Sequence, residues 1–337
     1  MTDPAGFALA EEVEDLRDAA ARFARDVLAP AARDHERAGG WPDPVQAVVD
    51  GFSRDLDAAL ARVVLLETLA TGDAGGLLAA DRPGPAAGAL DACPDPSPTA
   101  SAPAEDAVLA VVGEDAEPAR VDWVPGRPPR RYAWVSSGDH LRLVEAAAEP
   151  EQVAALAFAA SGGATLDLAG ARVVGDWTLP PGGGLAVRGR ARLWAAAVAV
   201  GIGQAAFDAT VAYTTERVVF GRPVAHHQAN AFELAALATG IHGARLAVRD
   251  AAASFDAGDP AAGFWATQAW WEAIDAAVAI SEAGIQLLGG HGFLVDHLAE
   301  KRFREARMLG LLFGGRDVAL DDLAGAVLDV PDPLVGP

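Results

Sequence analysis

The sequence predicts a mainly α-helical chain in three parts. These are an N-terminal helical segment with a Pro/Gly-rich tail over 1–102, a reduced β domain over 103–184 and a C-terminal four-helix bundle over 185–330. Three observations predict it. From residue 190 onward Ala, Leu, Val and Ile recur at helical spacing in long stretches with short connections, the pattern of an antiparallel bundle. Between 107 and 174 the apolar runs shorten to strand length and are divided by Ser/Gly turns. Between 71 and 103 Gly, Pro, Ala and Asp dominate and no period survives.

Taken in order, Leu16, Ala20, Phe23 and Val27 share one helical face, and Pro30 is expected to end that helix. A second helix is expected from Val45 to Leu69, with Leu56, Leu60, Val63 and Leu66 inward and Glu67 solvated. The stretch from Thr71 to Pro103, including Asp81-Arg82-Pro83 and Cys93-Pro94-Asp95-Pro96, reads as a long loop. Strands are expected at Val108–Val112, Arg131–Val135, Leu141–Val144 and Ala171–Val174, with turns at Ser136–Asp139 and Ser161–Gly163. Pro180 to Gly184 reads as a hinge; it matches no dinucleotide fingerprint. Four helices follow: Arg190–Thr215, His227–Phe255, one capped by Asp259-Pro260 and closed by Gly289-Gly290, and one from Ala299 to Gly314-Gly315. A further helix covers Val318–Val327.

Composition narrows the function. Hydrophobic residues make up 51% of the 337, ample for a large core. The formal net charge is −21, and Lys301 is the sole lysine. Such a field repels nucleic acid and anionic membrane surfaces, so neither is expected as a partner. Cys93 is the only cysteine, which excludes an internal disulfide and a cysteine-based zinc site. The histidines, among them His226, His227, His242, His291 and His297, lack metal-site spacing, and no GxSxG element marks a nucleophile. The acidic start has no basic n-region, and apolar runs such as Trp194–Ile202 are short, so a soluble, cytoplasmic protein is expected.

Two segments carry chemistry. Arg217, at the end of a helix, precedes Phe220-Gly221 and Gln228. A guanidinium there suits a phosphate, with an aromatic ring beside it to pack on a flat group; a last-turn Arg that complements the helix dipole is the plainer reading. Gln286 and Gly289-Gly290 close a helix and allow a ligand to approach the backbone, or serve simply as a helix stop. Trp265, Trp270 and Trp271 most simply pack between helices.

Together, Arg217-x-x-Phe220-Gly221 with Gln228, Gln286-x-x-Gly289-Gly290-x-Gly292-Phe293, and Glu300-Lys301-x-x-Arg304 resemble the acyl-CoA dehydrogenase family in order and spacing. The resemblance runs from Arg190 to Asp322. It implies N-terminal helices, a middle β domain and a C-terminal four-helix bundle. It also implies use of FAD to remove hydrogen from Cα and Cβ of an acyl-CoA, with electrons passed to an electron-transferring flavoprotein. Family members place residues matching Arg217, Phe220, Gln228, Gln286, Gly289 and Gly290 across a dimer interface, against the pyrophosphate and adenosine half of a neighbour's FAD.

The departures from the family are specific. The chemistry needs a carboxylate to take the α-proton. The two positions where the family carries that Glu are Phe313 and Ala191 here. The segment that grips the flavin ring has no clear match in the shortened middle domain. The pattern resembles bacterial α2β2 dehydrogenases acting on sterol side-chain CoA esters, in which one subunit lacks the base. The expectation is therefore a non-catalytic subunit that completes a partner's FAD site. Two alternatives stand beside it: a self-sufficient dehydrogenase using Glu305 or Asp317, and a flavin-free helical protein.

Overall fold

The computed structural model describes residues 9–53, 56–81, 84–95, 107–113, 119–126 and 129–329. The boundary expected at 102/103, and positions 82–83 and 96–103 of the expected loop, lie outside the described residues.

The fold is mainly helical with a small middle sheet region. Pro30 does not end the first helix. Helix α1 (Glu11–Phe23) passes through a π-helical turn, Ala24–Leu28, into α2 (Ala29–Ala38), and Pro30 lies directly after that turn, where the i→i+4 ladder is already interrupted. Gly39, at φ 64°, stops it. The expected second helix is two, α3 (Asp43–Ser53) and α4 (Ala59–Asp73). The start of α4 is capped from far away: the Asp256 carboxylate accepts the N–H groups of Ala59 and Leu60 at 2.6 and 2.9 Å. Part of the expected loop is ordered as α5 (Leu77–Ala80) and α6 (Ala87–Ala92).

The four expected strands are present as β1 (Val108–Val111), β3 (Tyr132–Ser137), β4 (His140–Glu145) and β7 (Arg172–Thr178), forming one sheet in the order β1-β3-β4-β7. A second sheet, β2-β6-β5, joins β2 (Arg120–Val124), β5 (Glu151–Gln152) and β6 (Ala164–Asp167). Alternation on β3 explains how the sheets meet the helices. Ala133 and Val135 face a small core with Val124 and Leu166, while Trp134 belongs to the main helical core.

Gly182 to Gly184 form no hinge. Gly182 caps α7 (Gly183–Glu216), and Asp139, on the β3–β4 turn, accepts the N–H groups of Gly182 and Gly184 at 3.1 and 2.9 Å. The bundle continues with α8 (Gln228–Asp256), α9 (Ala262–Leu288), α10 (Ala299–Leu309) and α11 (Gly315–Asp329). Helix α7 is apolar around most of its circumference because helices surround it. A Cβ on Gly201 would collide with the carbonyl of Glu67 on α4, so glycine sets that approach. Glu67 is not solvated: its carboxylate accepts Arg245 Nε at 2.5 Å and lies 3.6 Å from Arg249. Helix α7 and the span Ala262–Phe293 are long and apolar enough to cross a membrane on length and composition alone, but much of each is buried against the rest of the chain.

Candidate functional site

Three helix termini meet at one end of the bundle. Gly189 of α7 abuts Gly263 of α9, Gly203 abuts Ala277, and Thr210 abuts Gly284, so α7 and α9 run the same way and finish together. The tie is direct, because the Tyr213 hydroxyl and His291 Nδ1 are 3.2 Å apart. Helix α8 begins at this end with Gln228.

Arg217 caps α7, and its guanidinium has no hydrogen-bond or ion-pair partner among the described residues. A two-stranded hairpin follows, β8 (Val218–Val219) and β9 (Arg222–Pro223). Its turn residues, Phe220 and Gly221, have φ of 51° and 80°, as a type I′ turn demands. Left-handed backbone is disfavoured for an aromatic residue, and the Phe220 ring is 94% exposed. The hairpin is held from behind, since Arg222 Nε donates to His227 Nδ1 at 3.2 Å and Asn230 Nδ2 donates to Val224 O at 2.9 Å. Gln228 and Gln286 are exposed. Gly289 adopts φ 59°, ψ −134°, a conformation open to glycine alone, and nothing lies within 4 Å of a Cβ built on Gly289 or Gly290. A free cation, an exposed ring, two amides and bare backbone thus lie at one end of the bundle. These residues fit an anionic, flat-ringed ligand contributed from outside the chain.

The second feature is a cavity of about 390 Å³ between the sheets, the segment around Pro85 and the α10–α11 turn. Its wall includes Leu109, Val111, Trp123, Val124, Leu312 and Phe313. Phe313, at φ 54°, is followed by Gly314 and Gly315 at 90° and 61°. The turn is pinned from α7: Arg192 donates to the Phe313 carbonyl at 3.3 Å and to Asp322 at 2.6 Å, and Arg188 grips the same Asp322 at 2.5 Å. Ala191, the other family base position, is fully buried beside Arg192. On the described wall the one carboxylate is Asp122, whose side chain is 77% exposed and paired with Arg120 at 2.5 Å.

Neither alternative base reaches this cavity. The helix expected to carry Asp317 one turn beyond Phe313 is broken by the three left-handed residues, and Asp317 is exposed. Glu305 is buried elsewhere, 2.6 Å from Lys301 Nζ.

Lys301 explains the Glu-Lys-x-x-Arg landmark. Its ammonium bridges Glu305 and Asp73 at 2.6 and 2.8 Å, and Asp73 also accepts Trp41 Nε1 and the Gly75 N–H and meets His35 Nδ1. Around this knot Arg304 binds Glu36, Glu300 and the Leu156 carbonyl, while Arg33 binds Glu300. The lysine and its bonds hold the Asp73 carboxyl far below its ordinary range, whereas burial raises that of Glu305. Sequence reading missed Asp73, His35 and Trp41; the one signal was that the chain's sole lysine sits in this motif.

The acyl-CoA dehydrogenase C-terminal domain model matches residues 188–328. Residues 188–328 thus carry the C-terminal domain of the acyl-CoA dehydrogenase family. It is 35% identical over 127 residues to cyclohex-1-ene-1-carbonyl-CoA dehydrogenase of Geobacter metallireducens, a match covering 38% of this chain and 33% of that enzyme. The chain spans about a third to two-fifths of the length of the curated relatives it matches. Butyryl-CoA dehydrogenase of Megasphaera elsdenii superposes with a TM-score of 0.74 at 18% identity, covering 96% of this chain and 99% of that one. A glutaryl-CoA dehydrogenase of Mycobacterium smegmatis, solved with FADH2, superposes at 0.76 and 17%, covering 97% and 96%. These likenesses establish the fold.

Proposed function

We propose that this family member is the non-catalytic subunit of a heteromeric, FAD-dependent acyl-CoA dehydrogenase, assembled as α2β2 with a catalytic partner. The observation that carries this reading is Phe313: an aromatic side chain occupies the family's base position, on a cavity wall with no inward carboxylate among its described residues.

In the complex, FAD supplies the acceptor for the hydride leaving Cβ of the acyl-CoA, and a carboxylate of the partner takes the proton from Cα. This chain binds and orients. Arg217 would set its charge against the pyrophosphate, Phe220 would pack on the adenosine half, Gln228 and Gln286 would supply amide hydrogen bonds, and Gly289-Gly290 would admit close contact. The strained, exposed Phe220 supports a docking role, because an uncovered ring at a hairpin tip gains nothing in the isolated chain. Electrons leave through an electron-transferring flavoprotein. The acyl group we assign is a sterol side chain, on the similarity of the losses to those of bacterial heteromers; the protein is placed in the cytoplasm. A self-sufficient enzyme is disfavoured by the positions of Glu305 and Asp317, and a flavin-free protein by the unpaired Arg217.

Introducing a carboxylate tests the reading. Phe313→Glu in this chain alone, supplied with FAD, an acyl-CoA and a dye acceptor, is expected to give no turnover. Steady dye reduction dependent on acyl-CoA contradicts the assignment.

A further inference from the structure

Arg302 stands apart from the other cations of α10. Lys301 is closed on Asp73 and Glu305, and Arg304 on Glu36 and Glu300. Arg302 instead lines a small cavity of about 70 Å³ between α7, α9 and α10, shared with Thr210, Tyr213, Ser281 and His297. It is half-buried and has no hydrogen-bond or ion-pair partner among the described residues. The nearby acids are engaged or turned away. Glu305 is held by Lys301 at 2.6 Å, Asp208 on α7 accepts Gln204 Nε2 at 2.8 Å, and Glu282 on α9 is exposed. Burial draws the guanidinium pKa down to about 10, despite the opposing pull of Glu305 and Asp208.

The remaining lining favours negative charge. The hydroxyls of Thr210 and Ser281 donate to the carbonyls of Ala206 and Ala277 within their own helices, and the Tyr213 hydroxyl meets His291 Nδ1 at 3.2 Å, which leaves Arg302 and His297 to serve as donors. Leu298 and Ala299 line the same hollow at the start of α10, a helix whose first turn has no side-chain cap. A partly desolvated cation with no hydrogen-bonded partner is costly, and folded proteins answer such groups with a partner, water or an ion. We infer that the cavity between α7, α9 and α10 is a binding site for a small inorganic anion, of phosphate size or smaller, held by Arg302 together with His297. It is too small for a nucleotide, and it stands independently of the flavin-sharing reading.

Equilibrium dialysis of the full chain, alone or with its partner, against radiolabelled inorganic phosphate tests this. The expected result is saturable uptake of about one equivalent per chain, displaced by sulfate and abolished in Arg302→Met. Phosphate at an ionic strength matched with gluconate should raise the Tm of the wild type by about 3 °C and leave that of Arg302→Met unchanged. The proposal is overturned if the wild type takes up no phosphate saturably, the cavity then holding water alone. It is also overturned if Arg302→Met takes up as much as the wild type, or if Arg217→Ala rather than Arg302→Met abolishes uptake. Where Arg302→Met fails to fold, the wild type and Arg217→Ala decide the matter: saturable uptake kept in Arg217→Ala supports the cavity, and its loss there overturns it.

Discussion

Arg217→Ala in the assembled complex is expected to release flavin. The guanidinium is exposed and has no partner among the described residues, so it is open to bonds with an outside anion. Charge-assisted, forked hydrogen bonds to a pyrophosphate contribute about 2–3 kcal/mol, so removing them weakens FAD retention by about 30- to 150-fold. Since Arg217 touches nothing whose loss would unfold the bundle, the variant should keep its thermal stability without FAD. Arg25→Ala, which removes an exposed arginine paired with Asp26, should keep its flavin. Gel filtration followed by the ratio of visible to ultraviolet absorbance reads the outcome; full flavin retention in Arg217→Ala removes the shared-site reading.

Lys301→Met is expected to be the most destabilising single change. The ammonium is enclosed between Asp73 and Glu305, and removing it leaves two buried carboxylates without their cation, a loss of about 3–5 kcal/mol. Urea unfolding monitored by tryptophan fluorescence measures it. The double variant Lys301→Met with Glu305→Leu should recover part of that loss, since the orphaned carboxylate is then replaced by an apolar side chain. No recovery would mean that the lysine acts mainly through Asp73.

The same knot sets the pH window. The Asp73 pKa is lowered from an ordinary value of 3.8, so its contribution is complete above that value and is lost as the pH falls below it. The Lys301 pKa is raised from 10.5, so its contribution is complete below 10.5 and is lost as the pH rises past it. Glu305, raised from 4.5, runs the other way from Asp73: its contribution is complete below 4.5 and is lost as the pH rises through its folded value. Wild-type stability should therefore fall at both extremes, and Lys301→Met should flatten the alkaline limb.

Local chemistry made much of the bundle legible. Apolar periodicity located α7, α8, α9 and α10, and the turn at Ser136–Asp139 located the β3–β4 hairpin. What escaped depends on partners far away in the chain. The first turn of α7 exists because Asp139 caps it, and the first turn of α4 because Asp256 does. Glu67 looked solvated until Arg245 met it from another helix. Strand β2 escaped because Arg120 and Asp122 are exposed and its apolar face is short. At the site, the spacing of Arg217, Gln228 and Gln286 was readable, but their convergence follows from the parallel course of α7 and α9. That course depends on glycine contacts such as Gly189 with Gly263, which no sequence period announces.

The most direct test of the central claim is the visible spectrum and native mass of the chain purified alone and then co-expressed with a full-length dehydrogenase carrying an intact base. A chain that is colourless alone, and yellow and tetrameric with that partner, is the predicted result. A yellow homotetramer formed by the chain alone would contradict it, because the flavin would then be held within its own middle domain.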